Sequence, residues 1–155
     1  MEVFVAYTKD DDFNALKQTL EYWGRVPGVE PAMIQFPRAK YEIGRRVAAD
    51  NLSTDQYYIL ADLGCILNSE ADMKRIEERL KDEDAALIGL SNIAGNILLP
   101  DPPPAGVRIC RKGAVEKWLP KVTVHYNQEH RDSVRLSQQK VTTWHDIFYK
   151  HLPVH

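Results

Sequence analysis

Residues 2 to 7 carry Val3, Phe4, Val5 and Tyr7 and then meet the polar run Thr8-Lys9-Asp10-Asp11-Asp12, which predicts an opening strand with an acidic carboxyl end. From Phe13 the period changes. Phe13, Leu16, Leu20 and Trp23 fall at helical spacing, with aspartates favouring the helix start, and Gly24 and Pro27-Gly28 close the helix. Met33-Ile34-Gln35-Phe36, bounded by Pro31 and Pro37, predicts a short strand, and residues 41–51 predict a helix with Ile43, Val47 and Ala48 on one side. Tyr57-Tyr58-Ile59-Leu60-Ala61 is apolar almost throughout, the pattern of a strand buried on both faces, and it stops abruptly at Asp62.

Beyond Asp62, Ser69 is placed as a helix N-cap, followed by Asp72, and Met73, Ile76 and Leu80 form an apolar stripe. Residues 85–90 predict another buried strand and 91–96 a loop. The prolines at 100, 102, 103 and 104 exclude regular structure there. Val107-Arg108-Ile109-Cys110 predicts a strand, residues 113–118 a short helix, 122–126 an alternating strand, 129–139 a helix and 142–149 an extended segment. Strands that alternate with helices over the first 90 residues predict an α/β fold: a mixed, mostly parallel central sheet flanked by helices, in one domain spanning 1–155.

Composition narrows the field. A chain of 155 residues with 27% charged and 44% hydrophobic residues can bury a core and is not a disordered segment. The formal net charge of -2 gives no general pull toward nucleic acid or anionic membrane. Cys65 and Cys110 have neither metal-ligand nor redox spacing, which points to a reducing cytoplasm. No basic, apolar leader opens the sequence, and no apolar run nears the roughly 20 residues that span a bilayer. A soluble cytoplasmic protein is expected.

The candidate chemistry centres on Asp62. Ligands of open α/β sheets sit beyond the carboxyl ends of the strands, so a carboxylate ending a buried strand points toward a binding site. Arg45, Arg46 and Asn51 precede it. Cations beside one carboxylate suit a phosphorylated ligand held with a divalent metal. Each residue also has a plainer role: Asp62 as a turn cap before Gly64, the aspartates at 10–12 as helix-start charges, and the arginines as solvated side chains.

The order of these segments resembles the nucleotide-sugar-dependent glycosyltransferases of the GT-A fold, in their inverting family-two style. Val5-Ala6-Tyr7-Thr8-Lys9-Asp10-Asp11 is similar to the family's nucleoside-binding loop, which implies donor contacts at Thr8, Asp10 and Asp11. Gly44-Arg45-Arg46 through Asn51 to Ile59-Leu60-Ala61-Asp62-Leu63-Gly64 resembles its Arg-Asn segment and the strand ending in Asp-X-Asp. The resemblance implies phosphate contacts at Arg45 and Arg46 and a metal ligand at Asp62, with Gly64 standing where the family places a second carboxylate. Val107 to Lys117 is similar to the segment bordering the acceptor, with Arg111 and Lys112 facing phosphate. Glu129-His130-Arg131-Asp132 with Arg135 resembles the acidic motif, so that Asp132 or Glu129 would be the general base. Asp146-Ile147-Phe148-Tyr149-Lys150-His151 resembles a strand ending in a metal-binding His, here His151.

The implied cofactor is Mn²⁺ or Mg²⁺ and the implied partner a nucleotide diphosphate sugar, with the acceptor unspecified. Gly64 motivates an alternative, a non-catalytic GT-A-like binding module. A nucleotidyltransferase is a third reading, whereas P-loop and dinucleotide-binding classes fall away because their glycine-rich loops are absent.

Overall fold

A seven-stranded sheet carries the architecture of the computed structural model, which describes residues 1–7, 12–35, 57–94, 106–111 and 140–152. The strands are β1 (Glu2–Tyr7), β2 (Glu30–Gln35), β3 (Tyr57–Asp62), β4 (Cys65–Leu67), β5 (Leu87–Asn92), β6 (Val107–Arg111) and β7 (Val141–His151). Two helices are described, α1 (Phe13–Arg25) and α2 (Asp72–Leu80). The spatial order is β2-β1-β3-β6-β5-β7-β4.

β1 pairs in parallel with β2 and β3, and β5 with β7, whereas the β3/β6, β5/β6 and β4/β7 pairs are antiparallel. The sheet is therefore mixed, and the expected dominance of parallel pairing is not met. β6 enters antiparallel between β3 and β5, and β4 closes the far edge antiparallel to β7. The direction of β6 was not readable from its own five residues, because a strand's partner is fixed by distant chain.

Burial explains the apolar runs. Val3, Phe4 and Val5 of β1 and Tyr58, Ile59, Leu60 and Ala61 of β3 are all buried, as expected of central strands covered on both faces. Trp23, Ile76, Ile88, Ile109 and Ile147 extend the same core. β2 begins earlier than predicted and includes Pro31, opposite Val3. An edge strand tolerates this residue because one row of its backbone groups needs no ladder partner.

α1 starts where Asp12 accepts a hydrogen bond from the Asn14 backbone N–H at 2.9 Å, an N-cap. Its buried residues are Ala15, Leu16, Thr19, Tyr22 and Trp23, and Phe13 is exposed. The buried stripe is thus rotated from the predicted one, because the hydroxyl-bearing Thr19 sits in it. α1 also fastens the segment after β3. The Thr19 hydroxyl donates to the Ala15 carbonyl at 2.7 Å and accepts from the Gly64 N–H at 3.0 Å. Trp23 Nε1 donates to the Cys65 carbonyl at 3.2 Å and the Tyr22 hydroxyl to the Leu67 carbonyl at 3.1 Å. Cys65 and Leu67 are two residues apart, so both carbonyls leave one edge of β4, and the helix satisfies them there.

Two further expectations change. The N-cap position of α2 is Ala71, without a side-chain bond, while the Ser69 carbonyl accepts from the Asp72 N–H in the preceding turn. β5 runs on to Asn92, two residues into the predicted loop. The elements predicted over 41–51, 113–118, 122–126 and 129–139 lie outside the described residues.

Candidate functional site at the carboxyl end of the sheet

The pairings fix which residues share an end. β6 runs against both β3 and β5, and β7 runs with β5, so β1, β3, β5 and β7 all point the same way. Their last residues, Tyr7, Asp62, Asn92 and His151, therefore lie along one end of the sheet. β6 and β4 begin there, at Val107 and Cys65. This is the end at which open α/β sheets bind ligands.

Asp62 is held from several sides. Its backbone N–H donates to the Gly106 carbonyl at 2.7 Å, and the Gly106 N–H donates to Oδ2 at 3.3 Å. Arg108 Nη2 donates to Oδ1 at 2.9 Å and Nη1 to Oδ2 at 3.4 Å. The two ends of this ion pair differ in exposure: 1% for the Arg108 side chain and 44% for that of Asp62. A buried guanidinium thus meets a carboxylate whose other side is open to solvent.

Gly106 makes the approach possible. Its φ is +70°, and a Cβ there would lie 2.2 Å from the Tyr149 ring. Only glycine allows both the turn and the contact. Gly64, at φ +79°, turns the chain from β3 into β4. Burial raises the Tyr149 hydroxyl above its usual range, with Cys65 and Asp62 adding to the rise and Asn92 opposing it.

His151 pairs with Cys65 across β7 and β4, and its Nδ1 lies 3.5 Å from Cys65 Sγ. Burial pushes the Cys65 thiol up to about 12, reinforced by Asp62 and opposed by Arg108. Asp62 and His151, the two proposed metal ligands, therefore share an end of the sheet. Among the described residues, however, no group of three His, Cys, Asp or Glu side chains could hold a metal ion. With both Asp62 oxygens engaged by cationic or N–H donors, the described donors do not fit a resident divalent cation.

Arg111 is not at this end. It pairs with Tyr57, the first residue of β3, so it stands roughly 16 Å along the strand from Asp62 at 3.3 Å per residue. There its Nη1 donates to the Asp84 carbonyl at 3.1 Å, near Lys140, whose Nζ lies 2.8 Å from the Asp84 carboxylate. The structure thus separates Arg111 from Asp62 and His151. Thr8, Asp10, Asp11, Arg45, Arg46, Glu129 and Asp132 lie outside the described residues, as do Lys112 and Arg135.

Arg108 is the site residue that sequence reasoning passed over. Its signal was present: one charge within the apolar run Val107-Arg108-Ile109-Cys110. A charge buried in a strand requires an opposite charge nearby.

The chain matches no protein-family model, and no curated protein matches it by sequence. Solved structures do resemble it. A glycosyltransferase involved in glycosylation of the major capsid of PBCV-1 superposes with a TM-score of 0.63 at 13% identity, over 99% of this chain and 94% of that one. The fold is GT-A-like. A protein from STIV gives a TM-score of 0.59 at 6% identity, over 99% and 85% of the two chains. A Bacillus anthracis protein assigned as a glucose-1-phosphate thymidylyltransferase, crystallised with a sucrose, gives 0.52 at 9% identity, over 96% and 69%. At these identities the likeness establishes the GT-A-like fold, with Asp62 and His151 at its carboxyl end.

Proposed function

We propose that this chain is a glycosyltransferase that moves a sugar from a nucleotide diphosphate sugar to an acceptor. The observation that carries the reading is Asp62: a half-exposed carboxylate, fixed in orientation, at the carboxyl end of a central strand in a GT-A-like sheet. In this reading Thr8, Asp10 and Asp11 contact the nucleoside, and Arg45 and Arg46 neutralise charge developing on the leaving diphosphate. Glu129 or Asp132 takes the proton from the attacking acceptor hydroxyl as the new glycosidic bond forms and the bond to the diphosphate breaks. Asp62 accepts a hydrogen bond from the donor and orients it. We place the protein in the cytoplasm, supported by two buried cysteines, Cys65 and Cys110, at neither metal-ligand nor redox spacing. Among the described residues no helix is long and apolar enough to cross a membrane.

The test is thermal denaturation with a panel of nucleoside diphosphates and nucleotide sugars, followed by an assay of nucleoside diphosphate release. A rise in Tm that Asp62→Asn removes, together with release that Asp132→Asn or Glu129→Gln abolishes, is expected. A flat response across the panel sinks the proposal.

Gly64 and the Arg108 fork on Asp62 favour a second reading, a nucleotide-binding module without turnover. It predicts the same thermal shift with no release of nucleoside diphosphate.

A further inference from the structure

We infer that Arg108 makes Asp62 a fixed acceptor for a neutral hydrogen-bond donor of the ligand, a hydroxyl or an amide, and closes that carboxylate to divalent cations. The identity of the ligand rests on the transferase reading above; the refusal of metal does not.

The geometry carries the argument. An ionised carboxylate has about four acceptor positions. Among the described residues three contacts are made to Asp62, two from Arg108 and one from the Gly106 N–H. The Asp62 side chain is still 44% exposed, which leaves room for an incoming donor. A divalent cation bound there would stand close to a guanidinium that is almost wholly buried, where like charges repel far more strongly than in water. Its attraction to Asp62 would also be offset, because the pair as a whole is neutral.

Among the described residues the surroundings supply no compensation: Gly64 brings no side chain to the turn, and no group of three His, Cys, Asp or Glu side chains could hold a metal ion. Arg108 is therefore a positioning residue. It is too deeply buried to touch a ligand and acts by holding and neutralising Asp62.

Paramagnetic broadening tests this directly on the unmodified chain. In ¹⁵N-resolved spectra with equimolar Mn²⁺, the amide signals of Asp62, Gly106 and Arg108 are expected to stay as sharp as without metal. Selective loss of those three signals, restored by excess Mg²⁺, would overturn the inference. With Mn²⁺ in excess, Arg108→Gln, which removes the charge, is expected to broaden the Asp62 and position-106 signals more than in the unmodified chain, whereas Arg108→Lys leaves them as sharp as in that chain. Should Arg108→Gln not fold, the unmodified chain still decides. Adding a nucleoside diphosphate in EDTA to the same sample separates the claims: no shifts with any nucleotide would sink the transferase reading and leave the metal result standing.

Discussion

Asp62 and Asp146 are both gripped by arginine, and they do different work. Among the described residues, Asp62 meets one guanidinium, and it is buried. Asp146, on β7, meets Arg79 through both oxygens at 2.7 and 2.6 Å and Arg75 at 2.9 Å, and all three side chains are at least partly in water. Arg75 also reaches Asp72, and Arg79 lies over the Trp144 ring at 4.8 Å, so this second cluster clips α2 to β7. The shorter contacts belong to the surface clip. Burial of one partner, more than bond length or number of contacts, is what makes the first pair costly to break and useful as a fixed point in a site.

The sharpest way to break that contrast is to remove the backbone that holds Asp62. Gly106→Ala forces a Cβ into the Tyr149 ring at a left-handed φ, and should cost about 3–5 kcal/mol in urea denaturation from overpacking and backbone strain together. Adding Tyr149→Leu should return the steric share. An unchanged denaturation midpoint for the single variant would mean that the turn relaxes freely.

Next in size is Asp62→Ala, which leaves the Arg108 guanidinium buried without this carboxylate. A loss of about 2–3 kcal/mol is expected, just under the ~3–5 kcal/mol of a fully buried broken pair because water reaches Asp62. The corresponding fall in Tm is roughly 4–12 °C for a domain of this size. A loss no larger than that of Asp146→Ala would erase the distinction between the two aspartates.

Asp146→Ala is the smallest effect, about 1 kcal/mol or less, since exposed pairs are screened and flexible. Its signature is pH dependence. Hydrogen bonding by Arg79 holds the Asp146 carboxyl at about 2, below its ordinary 3.8. A depressed carboxyl stabilises the fold above its unfolded value and loses that contribution as pH falls toward 2. The stability gap between wild type and Asp146→Ala should therefore narrow from pH 5 to pH 2 and shrink with added salt, while the gap for Asp62→Ala should be much less sensitive to salt. Parallel salt dependences would count against a buried first pair.

Much of the fold was legible because burial leaves a period in the sequence. β1 and β3 read as continuous apolar runs, and α2 read as a stripe. β4 did not, because three residues are too few to show alternation. The face of α1 was misread because a buried Thr19, satisfied by its own hydrogen bonds, looks polar to any hydropathy pattern. At the site, the place of Asp62 followed from its position at the end of a buried strand. Its partner did not, since 46 residues separate Asp62 from Arg108 and only the antiparallel insertion of β6 brings them together. Arg111 stands apart from Asp62 for the same reason: running antiparallel, β6 carries its two arginines toward opposite ends of the sheet.

The three side chains that α1 sends to Gly64, Cys65 and Leu67 have one more consequence. With the Gly64 amide seated on Thr19 and two edge carbonyls taken by Tyr22 and Trp23, the corner beside Asp62 cannot swing as a lid without first unfastening a helix. Its ordering is completed when the chain folds, so a molecule arriving at Asp62 meets a wall already in place and loses no affinity to stiffening it.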